Sequence, residues 1–182
     1  MKIIETNIKD LLIIEPSVFK DDRGWFSESY NKEKLKLLGI SINFIQDNHS
    51  LSLEKGTIRG LHLQTNPNAQ TKLVRCTKGR ILDVAVDLRK SSPTYLKAFT
   101  IELSTVNQKQ LLIPKGFAHG FVTLEDNTEV QYKVDEYYSK EHDRSIKYND
   151  PIFNIDWVVD NVILSDKDKN APFYRDSDIS FE

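Results

Sequence analysis

Four side chains in this sequence could together move a proton on and off a carbon atom. They are His62, Lys72, Tyr132 and Asp168. The imidazole can serve as a base, the ammonium as a cation, the phenol as an acid, and the carboxylate can orient the base. Together they could remove a proton from a carbon next to a carbonyl and return one to the opposite face without a cofactor. The expected chemistry is inversion of that carbon.

The phenol of Tyr132 is predicted to point into the protein. Residues on a strand alternate between faces, so that Val130, Tyr132 and Val134 share one face and Gln131 and Lys133 the other. A core tyrosine with a hydrogen-bonded hydroxyl is the alternative. Tyr132 is a catalytic candidate only in the company of the other three residues.

His62 lies in a predicted strand, Ile58 to Gln64, where alternation places it on the face of Gly60 and turns Arg59 the other way. A purely structural histidine is the alternative at this position. A bulge or twist at Gly60 would let Arg59 and His62 reach one ligand, because glycine tolerates the required backbone.

Metal binding is the rival use of these histidines. Small β-barrels often bind a metal with a His-x-His pair, a downstream Glu and another His. Here Gln64 stands where the second His would be, and no Glu occurs between His62 and Gly79, which leaves His119 as the other candidate ligand. Two ligands do not hold a catalytic metal, so no metal and no other cofactor is expected.

Composition restricts the possible classes of protein. The 182 residues carry a formal net charge of -2 and no long basic run, so neither nucleic acid nor a membrane is an expected partner. The apolar run Leu11 to Ile14 is too short for a signal peptide or a membrane span, which predicts a cytoplasmic protein. Cys76 is the single cysteine, so no intrachain disulfide can form, and it is interpreted as a small core residue. One domain over residues 1–182 is expected.

Short segments rich in Ile, Val, Tyr and Phe, separated by turn residues, predict an all-β sandwich or barrel. Ile81 to Leu88 alternates, with one face predicted to be core and the other, which carries Asp83 and Asp87, partly polar. One helix is predicted over Asn31 to Leu38, ended by Gly39. Beyond about residue 150 the pattern weakens, which predicts a segment lying over the barrel.

Sequence motifs add a resemblance to a known family. Pro114-x-Gly116-x-x-His119, with the gapped histidine motif before it, resembles the cupin superfamily. A more specific set of blocks resembles its metal-free branch, the RmlC-type dTDP-4-dehydrorhamnose 3,5-epimerases of dTDP-L-rhamnose synthesis. Those blocks include Asp22-Arg23-Gly24-x-Phe26-x-Glu28, Gln46-Asp47-Asn48-x-Ser50, Arg59-Gly60-Leu61-His62-x-Gln64, Gln70-x-Lys72-Leu73-Val74-Arg75, Tyr132-Lys133 and Ser165-x-Lys167-Asp168. The resemblance implies a cupin-type antiparallel β-barrel or jelly roll.

The resemblance also implies a role for each of the four residues. His62 would be the base and Asp168 its carboxylate partner. Lys72 would face the C4 oxygen of the sugar, where negative charge grows in the transition state. Tyr132 would donate a proton from the face opposite the base.

Further residues are implied to bind the substrate. Arg59 and Arg23 would contact the diphosphate, because guanidinium groups suit phosphate oxygens. Tyr138 would stack on thymine, and Asp143 departs from the Glu usual in the family, which puts its nucleotide contact in doubt. Family dimers exchange N-terminal strands, so a homodimer with shared sites is implied. The remaining pocket residues would be Phe26, Glu28, the turn Gln46-Asp47-Asn48, His119 and Lys167.

The implied activity is epimerisation at C3 and C5 of dTDP-4-dehydro-6-deoxy-D-glucose. Two alternatives stay open at this point. One is a relative that inverts only C3 or only C5, or that uses another nucleotide. The other is a cupin that binds a sugar nucleotide without chemistry, since a fold alone does not fix function.

Overall fold

The computed structural model describes residues 1–182 as thirteen strands and two short helices, which confirms the all-β prediction. A 3₁₀ turn follows at Tyr174–Asp176. The strands are β1 Lys2–Glu5, β2 Leu12–Glu15, β3 Val18–Asp21, β4 Gly24–Ser27, β5 Gln46–Ser52, β6 Ile58–Gln64, β7 Lys72–Lys78, β8 Arg80–Asp87, β9 Ala98–Ser104, β10 Gln110–Ile113, β11 Phe117–Thr123, β12 Thr128–Val134 and β13 Asp143–Ser145; the helices are α1 Lys32–Leu37 and α2 Asp166–Lys169.

Two antiparallel sheets form the body of the fold. The larger has the order β1-β2-β10-β7-β12-β5, the smaller has the order β13-β6-β11-β8-β9, and β3 with β4 makes a separate hairpin. The two sheets bury a shared core between them, in which Val74 and Val130 of the larger sheet join Ile81 and Ala85 of the smaller. This is the predicted cupin-type barrel.

Strand β8 corrects one prediction about faces. Its predicted polar face is buried, since Asp83 and Asp87 are both 0% exposed. The opposite face is buried too, because Val84 and Val86 lie under the C-terminal part of the chain. Both faces of β8 are therefore core, and the two aspartates lie inside the protein.

The C-terminal segment covers the smaller sheet, as predicted. Phe153, Trp157, Tyr174 and Phe181 belong to the same buried cluster as Val84 of β8. A parallel bridge from Thr57 to Ile163 and another from Arg89 to Phe181 fix the segment along its length. Burial of large aromatic side chains stabilises this arrangement by roughly 1.5–3 kcal/mol each. The segment places α2 next to β6.

Helix α1 matches its prediction closely. Asn31 is the N-cap and its side chain accepts a hydrogen bond from the Lys34 backbone N–H at 3.0 Å. Gly39 follows the helix with a φ of +89°, where glycine is favoured. Leu35 packs into a small core with Leu73 of β7, whereas Leu38 remains 43% exposed.

Large apolar side chains remain exposed on the hairpin β3–β4. Phe19, Trp25 and Phe26 are each more than half exposed. The edge strand β5 presents Leu51, which is also exposed. Neither helix of the fold reaches the length and apolarity needed to cross a lipid bilayer.

Candidate active site

A cavity of about 400 Å³ opens between the two sheets. Strands β6 and β11 of the smaller sheet and β7 and β12 of the larger form its walls, and the segment before α2 closes one side. Among the residues proposed from the sequence, six line this cavity: Arg59, His62, Lys72, His119, Tyr132 and Asp168.

A bulge in β6 lets Arg59 and His62 share the cavity. In the pairing of β6 with β11, His62 lies opposite His119 and Arg59 opposite Phe121, so a three-residue step on β6 faces a two-residue step on β11. The extra residue lies at Gly60, whose φ is +138°. The predicted bulge is confirmed, and glycine permits it because the left-handed region is open to it.

Gly60 is also a site where added volume should be costly. A Cβ here would lie 2.5 Å from Gly120 Cα and 2.9 Å from the His119 carbonyl oxygen. We expect Gly60→Ala to lower the free energy of unfolding by about 2–6 kcal/mol, from backbone strain and overpacking combined. Urea denaturation measures the loss.

Gly24→Ala is the matched control for that variant. Gly24 has nearly the same φ, +134°, but a Cβ there would meet nothing within 4 Å. It should lose only the backbone contribution, about 1–3 kcal/mol. Equal losses of unfolding free energy in the two variants would show that the close approach of β6 and β11 adds nothing to the cost of Gly60→Ala.

His62 and Asp168 form a hydrogen-bonded pair. His62 Nε2 lies 2.5 Å from Asp168 Oδ1. Ser165, the N-cap of α2, accepts from the Asp168 backbone N–H at 3.1 Å and donates to Asp168 Oδ2 at 3.0 Å. The short helix α2 thus holds the carboxylate, and the serine hydroxyl fixes its second oxygen.

The carboxylate of Asp168 stays ionised. Burial alone raises its pKa, but hydrogen bonds from His62, Ser165 and the Gly60 backbone N–H lower the pKa below its ordinary value. Because an ionised carboxylate only accepts hydrogen bonds, His62 Nε2 carries the hydrogen that points at it. In the neutral ring, Nδ1 is then the free basic nitrogen.

Lys72 supplies a buried cation in the wall of the cavity. It belongs to β7, is 8% exposed, and its Nζ donates to the His62 carbonyl oxygen at 3.3 Å. Burial lowers the pKa of Lys72 to about 8, while Asp83 and Asp143 act in the opposite direction. Lys72 therefore remains mainly an ammonium at neutral pH.

Tyr132 faces the cavity from the larger sheet. Val130 and Val134, on the same face of β12, are fully buried, which confirms the predicted inward direction. Burial raises the pKa of the Tyr132 phenol, an effect that nearby Arg59 opposes. The phenol is therefore protonated at neutral pH. Since His62 belongs to the smaller sheet, the imidazole and the phenol lie on opposing walls.

A second histidine–carboxylate pair lies beside the first. His119 Nε2 is 2.5 Å from Asp83 Oδ1, and both side chains are buried. Burial lowers the pKa of His119, although Asp83 acts to raise it. Sequence reasoning missed Asp83 as a site residue. The available signal was a carboxylate on the same face of an alternating strand as the apolar residues Ile81 and Ala85.

Residues predicted from the N-terminal hairpin lie outside this cavity in the single chain. Arg23 is exposed and pairs with Asp21 at 2.6 Å. Phe26 is 69% exposed, and Glu28 pairs with Lys34 of α1 at 2.7 Å. Their roles in substrate binding therefore remain predictions for an assembly of more than one chain.

The block Gln46-Asp47-Asn48 is not the predicted turn but the beginning of strand β5. Gln46 and Asn48 point to the inner face, as does Ser50, which lines the cavity. Asp47 points the other way and pairs with Lys133 at 2.8 Å. Alternation along a strand allows only two of the three residues to face a common ligand.

A polar cluster lies near the cavity on β13 and α2. Lys167 Nζ contacts Asp143 Oδ2 at 2.5 Å, and the Tyr138 hydroxyl donates to the same oxygen at 3.3 Å. Tyr138 is 60% exposed, so its ring face is open to a ligand. The structure thus brings these three predicted residues together, although none of them lines the cavity itself.

The donor set of the cavity does not form a metal site. Nowhere do three His, Cys, Asp or Glu side chains converge in a geometry that could hold a metal ion. Each of the two cavity histidines directs its Nε2 at a single carboxylate.

Known proteins are similar to this chain in sequence and in fold. The sequence profile of the dTDP-4-dehydrorhamnose 3,5-epimerase family matches residues 5–176. A dTDP-4-dehydrorhamnose 3,5-epimerase from Shigella flexneri is 51% identical over 98% of both chains. The crystal structure of that enzyme from Bacillus anthracis, with TDP and PPi bound, is 56% identical with a TM-score of 0.92, covering 94% of this chain and 98% of the other.

The epimerase from Legionella pneumophila was solved in complex with dTDP-4-keto-L-rhamnose. It is 45% identical, with a TM-score of 0.91, and the match covers 96% of this chain and 93% of the other. These matches extend over 94–98% of this chain and combine 45–56% sequence identity with the same fold in the two solved structures. The chain therefore belongs to the dTDP-4-dehydrorhamnose 3,5-epimerase family of isomerases.

Proposed function

We propose that the protein inverts C3 and C5 of dTDP-4-dehydro-6-deoxy-D-glucose to give dTDP-4-dehydro-L-rhamnose, without a cofactor. The observation that carries this proposal is the placement of His62 and Tyr132 on opposing walls of one cavity, with Lys72 in the wall beside Tyr132. Inversion of a carbon needs a base on one face and an acid on the other. Binding alone would need neither.

The proposed reaction begins at the carbon next to the C4 ketone. His62 Nδ1 removes the proton, and the ionised Asp168 stabilises the imidazolium that forms. Negative charge develops on the C4 oxygen, where the ammonium of Lys72 stabilises the enolate more than the ketone. Tyr132 then donates its phenolic proton to the opposite face of the same carbon.

We propose that Arg59 binds the diphosphate. Its Nε donates to Ser52 Oγ at 3.1 Å and its Nη2 to the Leu51 carbonyl oxygen at 3.0 Å. These contacts anchor the guanidinium to the edge strand β5 and leave Nη1 free for a phosphate oxygen. The cluster of Asp143, Lys167 and Tyr138 is proposed to contact the nucleotide.

A homodimer with shared sites is proposed in addition. The exposed aromatic residues of the hairpin β3–β4 support it, because burial against a second chain would remove them from water. Arg23 and Glu28 would then serve the neighbouring cavity. Mixing an Arg23→Ala chain with a His62→Asn chain should restore activity, since one cavity of the mixed dimer keeps both groups. Absence of any restoration would refute the sharing of sites.

We propose further that residues 1–182 act as one epimerase domain, located in the cytoplasm. The profile of the family spans most of this length, and both sheets contribute to one cavity. The single cysteine is compatible with a reducing compartment.

Solvent exchange in heavy water tests the proposed activity directly. Incubation of the purified protein with dTDP-4-dehydro-6-deoxy-D-glucose should place deuterium at both C3 and C5, as measured by NMR. Deuterium at one carbon alone would indicate a single-site epimerase. No deuterium at either carbon would reject the proposed function.

The buried ammonium of Lys72 predicts a pH dependence. Since its pKa is lowered to about 8, kcat/KM should fall as pH rises through that value, because the neutral amine no longer stabilises the enolate. Rates measured from about pH 6 to about pH 10 check this. Lys72→Gln should lower kcat and lose this alkaline limb, whereas a wild-type profile that stays flat through the range would contradict the assigned role.

A further inference from the structure

Asp83 is a buried carboxylate that the proposed mechanism does not yet use. It lies on β8, is 0% exposed, and its Oδ1 faces His119 Nε2 at 2.5 Å. Its other oxygen, Oδ2, is buried without a hydrogen-bond partner from the protein. An unsatisfied buried carboxylate oxygen is costly, so its retention calls for a compensating role.

The next inward-facing carboxylate of the same strand shows the contrast. Asp87 is also 0% exposed, but both of its oxygens are satisfied by Arg89, and Oδ2 also accepts from Ser92 and Thr94. None of these four residues lines the cavity. Asp87 therefore belongs to a complete structural network, whereas Asp83 lies behind a cavity residue with one oxygen unpaired.

The negative charge of Asp83 acts on two cavity residues. One is His119, whose ring it contacts. The other is Lys72, since the negative charge of Asp83 is the largest influence that raises its pKa against the effect of burial. Asp143 acts in the same direction on Lys72 and Lys167 in the opposite one, so Asp83 is the main buried counter-charge of this ammonium.

We propose that Asp83 is a positioning residue of the reaction, which orients His119 toward the ketosugar and maintains Lys72 as an ammonium. This inference rests on the proposed function. With the Nε2 hydrogen of His119 directed at Asp83, the free Nδ1 is left to accept a hydrogen bond from a sugar hydroxyl. His119 is the hydrogen-bond partner of the Asp83 carboxylate, and the negative charge of that carboxylate acts on Lys72.

Asp83→Asn, compared with Asp87→Asn, tests the inference. Because Asp83 raises the pKa of Lys72, the asparagine should lower that pKa and move the alkaline limb of kcat/KM to lower pH. We expect kcat to fall about 10- to 100-fold through lost positioning, with the affinity for dTDP changed less than about twofold. Asp87→Asn should lose stability in urea but keep the wild-type limb. A limb that stays in place in Asp83→Asn, or moves equally in both variants, would overturn the inference.

A measurement on the wild-type protein gives an independent decision should Asp83→Asn fail to fold. ¹⁵N NMR of the ligand-free protein, with the His119 signals assigned by their loss in His119→Gln, reports which ring nitrogen carries the hydrogen. At neutral pH we expect a protonated Nε2 and an unprotonated Nδ1. The reverse tautomer would refute the orientation by Asp83. Because this readout needs no substrate, its failure is distinct from a failure of the proposed function, which the wild-type exchange assay decides.

Discussion

Replacing His62 by asparagine is expected to lower kcat by about 10²–10⁴-fold. Asparagine is shorter than histidine, so the contact that Nε2 makes with Asp168 is lost, but it leaves Ser165 donating to that carboxylate. It has no basic nitrogen, however, and cannot take a proton from carbon. Deuterium incorporation at C3 and C5 in heavy water should fall by the same factor as product formation, because proton removal precedes both.

His49→Asn is the control for that change. His49 lies on the outward face of β5, where its Nε2 contacts Glu129 at 3.1 Å, away from the cavity. This variant should keep its kcat within about twofold, as surface substitutions usually have small effects. Exchange at the wild-type rate in His62→Asn would eliminate the imidazole as the base and with it the proposed mechanism.

Alternation along a strand predicted the directions of site side chains where the prediction depended on one strand alone. It placed Tyr132 on the inward face of β12, and it exposed the conflict between Arg59 and His62 that the bulge at Gly60 resolves. These features depend on residues within a few positions of each other. Local pattern and backbone preference are enough to determine them.

Alternation along a strand could not predict contacts between segments that are distant in the sequence. Asp168 meets His62 across 106 positions of sequence, and only the family resemblance paired them before the structure did. Helix α2, which holds Asp168, has four residues and thus too few for a helical period to show. The role of Asp83 was hidden for a related reason. A carboxylate on a strand favours a solvent-exposed face, and only the packing of the larger sheet over the face of Ile81 and Ala85 makes it core.

Arg23 and Glu28 show a different limit of prediction from the sequence of one chain. Arg23 and Glu28 lie outside the cavity of the chain that carries them, and their nearest charged partners are Asp21 and Lys34. No reasoning about one chain can place them at a substrate, because the proposed site needs a second copy. The exposed aromatic side chains of the same hairpin support that proposed second copy.

Replacing Tyr132 by phenylalanine is expected to separate exchange from inversion. The ring keeps its place between Val130 and Val134, but the proton donor of its wall is lost. Inversion should fall by about 10²–10⁴-fold. His62 can still remove a proton and return a deuteron to the face it came from, so exchange with retained configuration should exceed inversion. A time course of the NMR spectrum in heavy water measures both rates.

Tyr148→Phe controls for the loss of a hydroxyl elsewhere. Tyr148 packs against Trp157 beneath the C-terminal segment, outside the cavity, and its removal should leave both rates unchanged. Equal losses of exchange and inversion in Tyr132→Phe would contradict the division of labour between the two walls. The phenol would then be required before the proton leaves carbon, as expected if it stabilised the enolate together with Lys72. A larger loss of inversion than of exchange in Tyr132→Phe is expected only if the base and the proton donor act on opposite faces of the sugar.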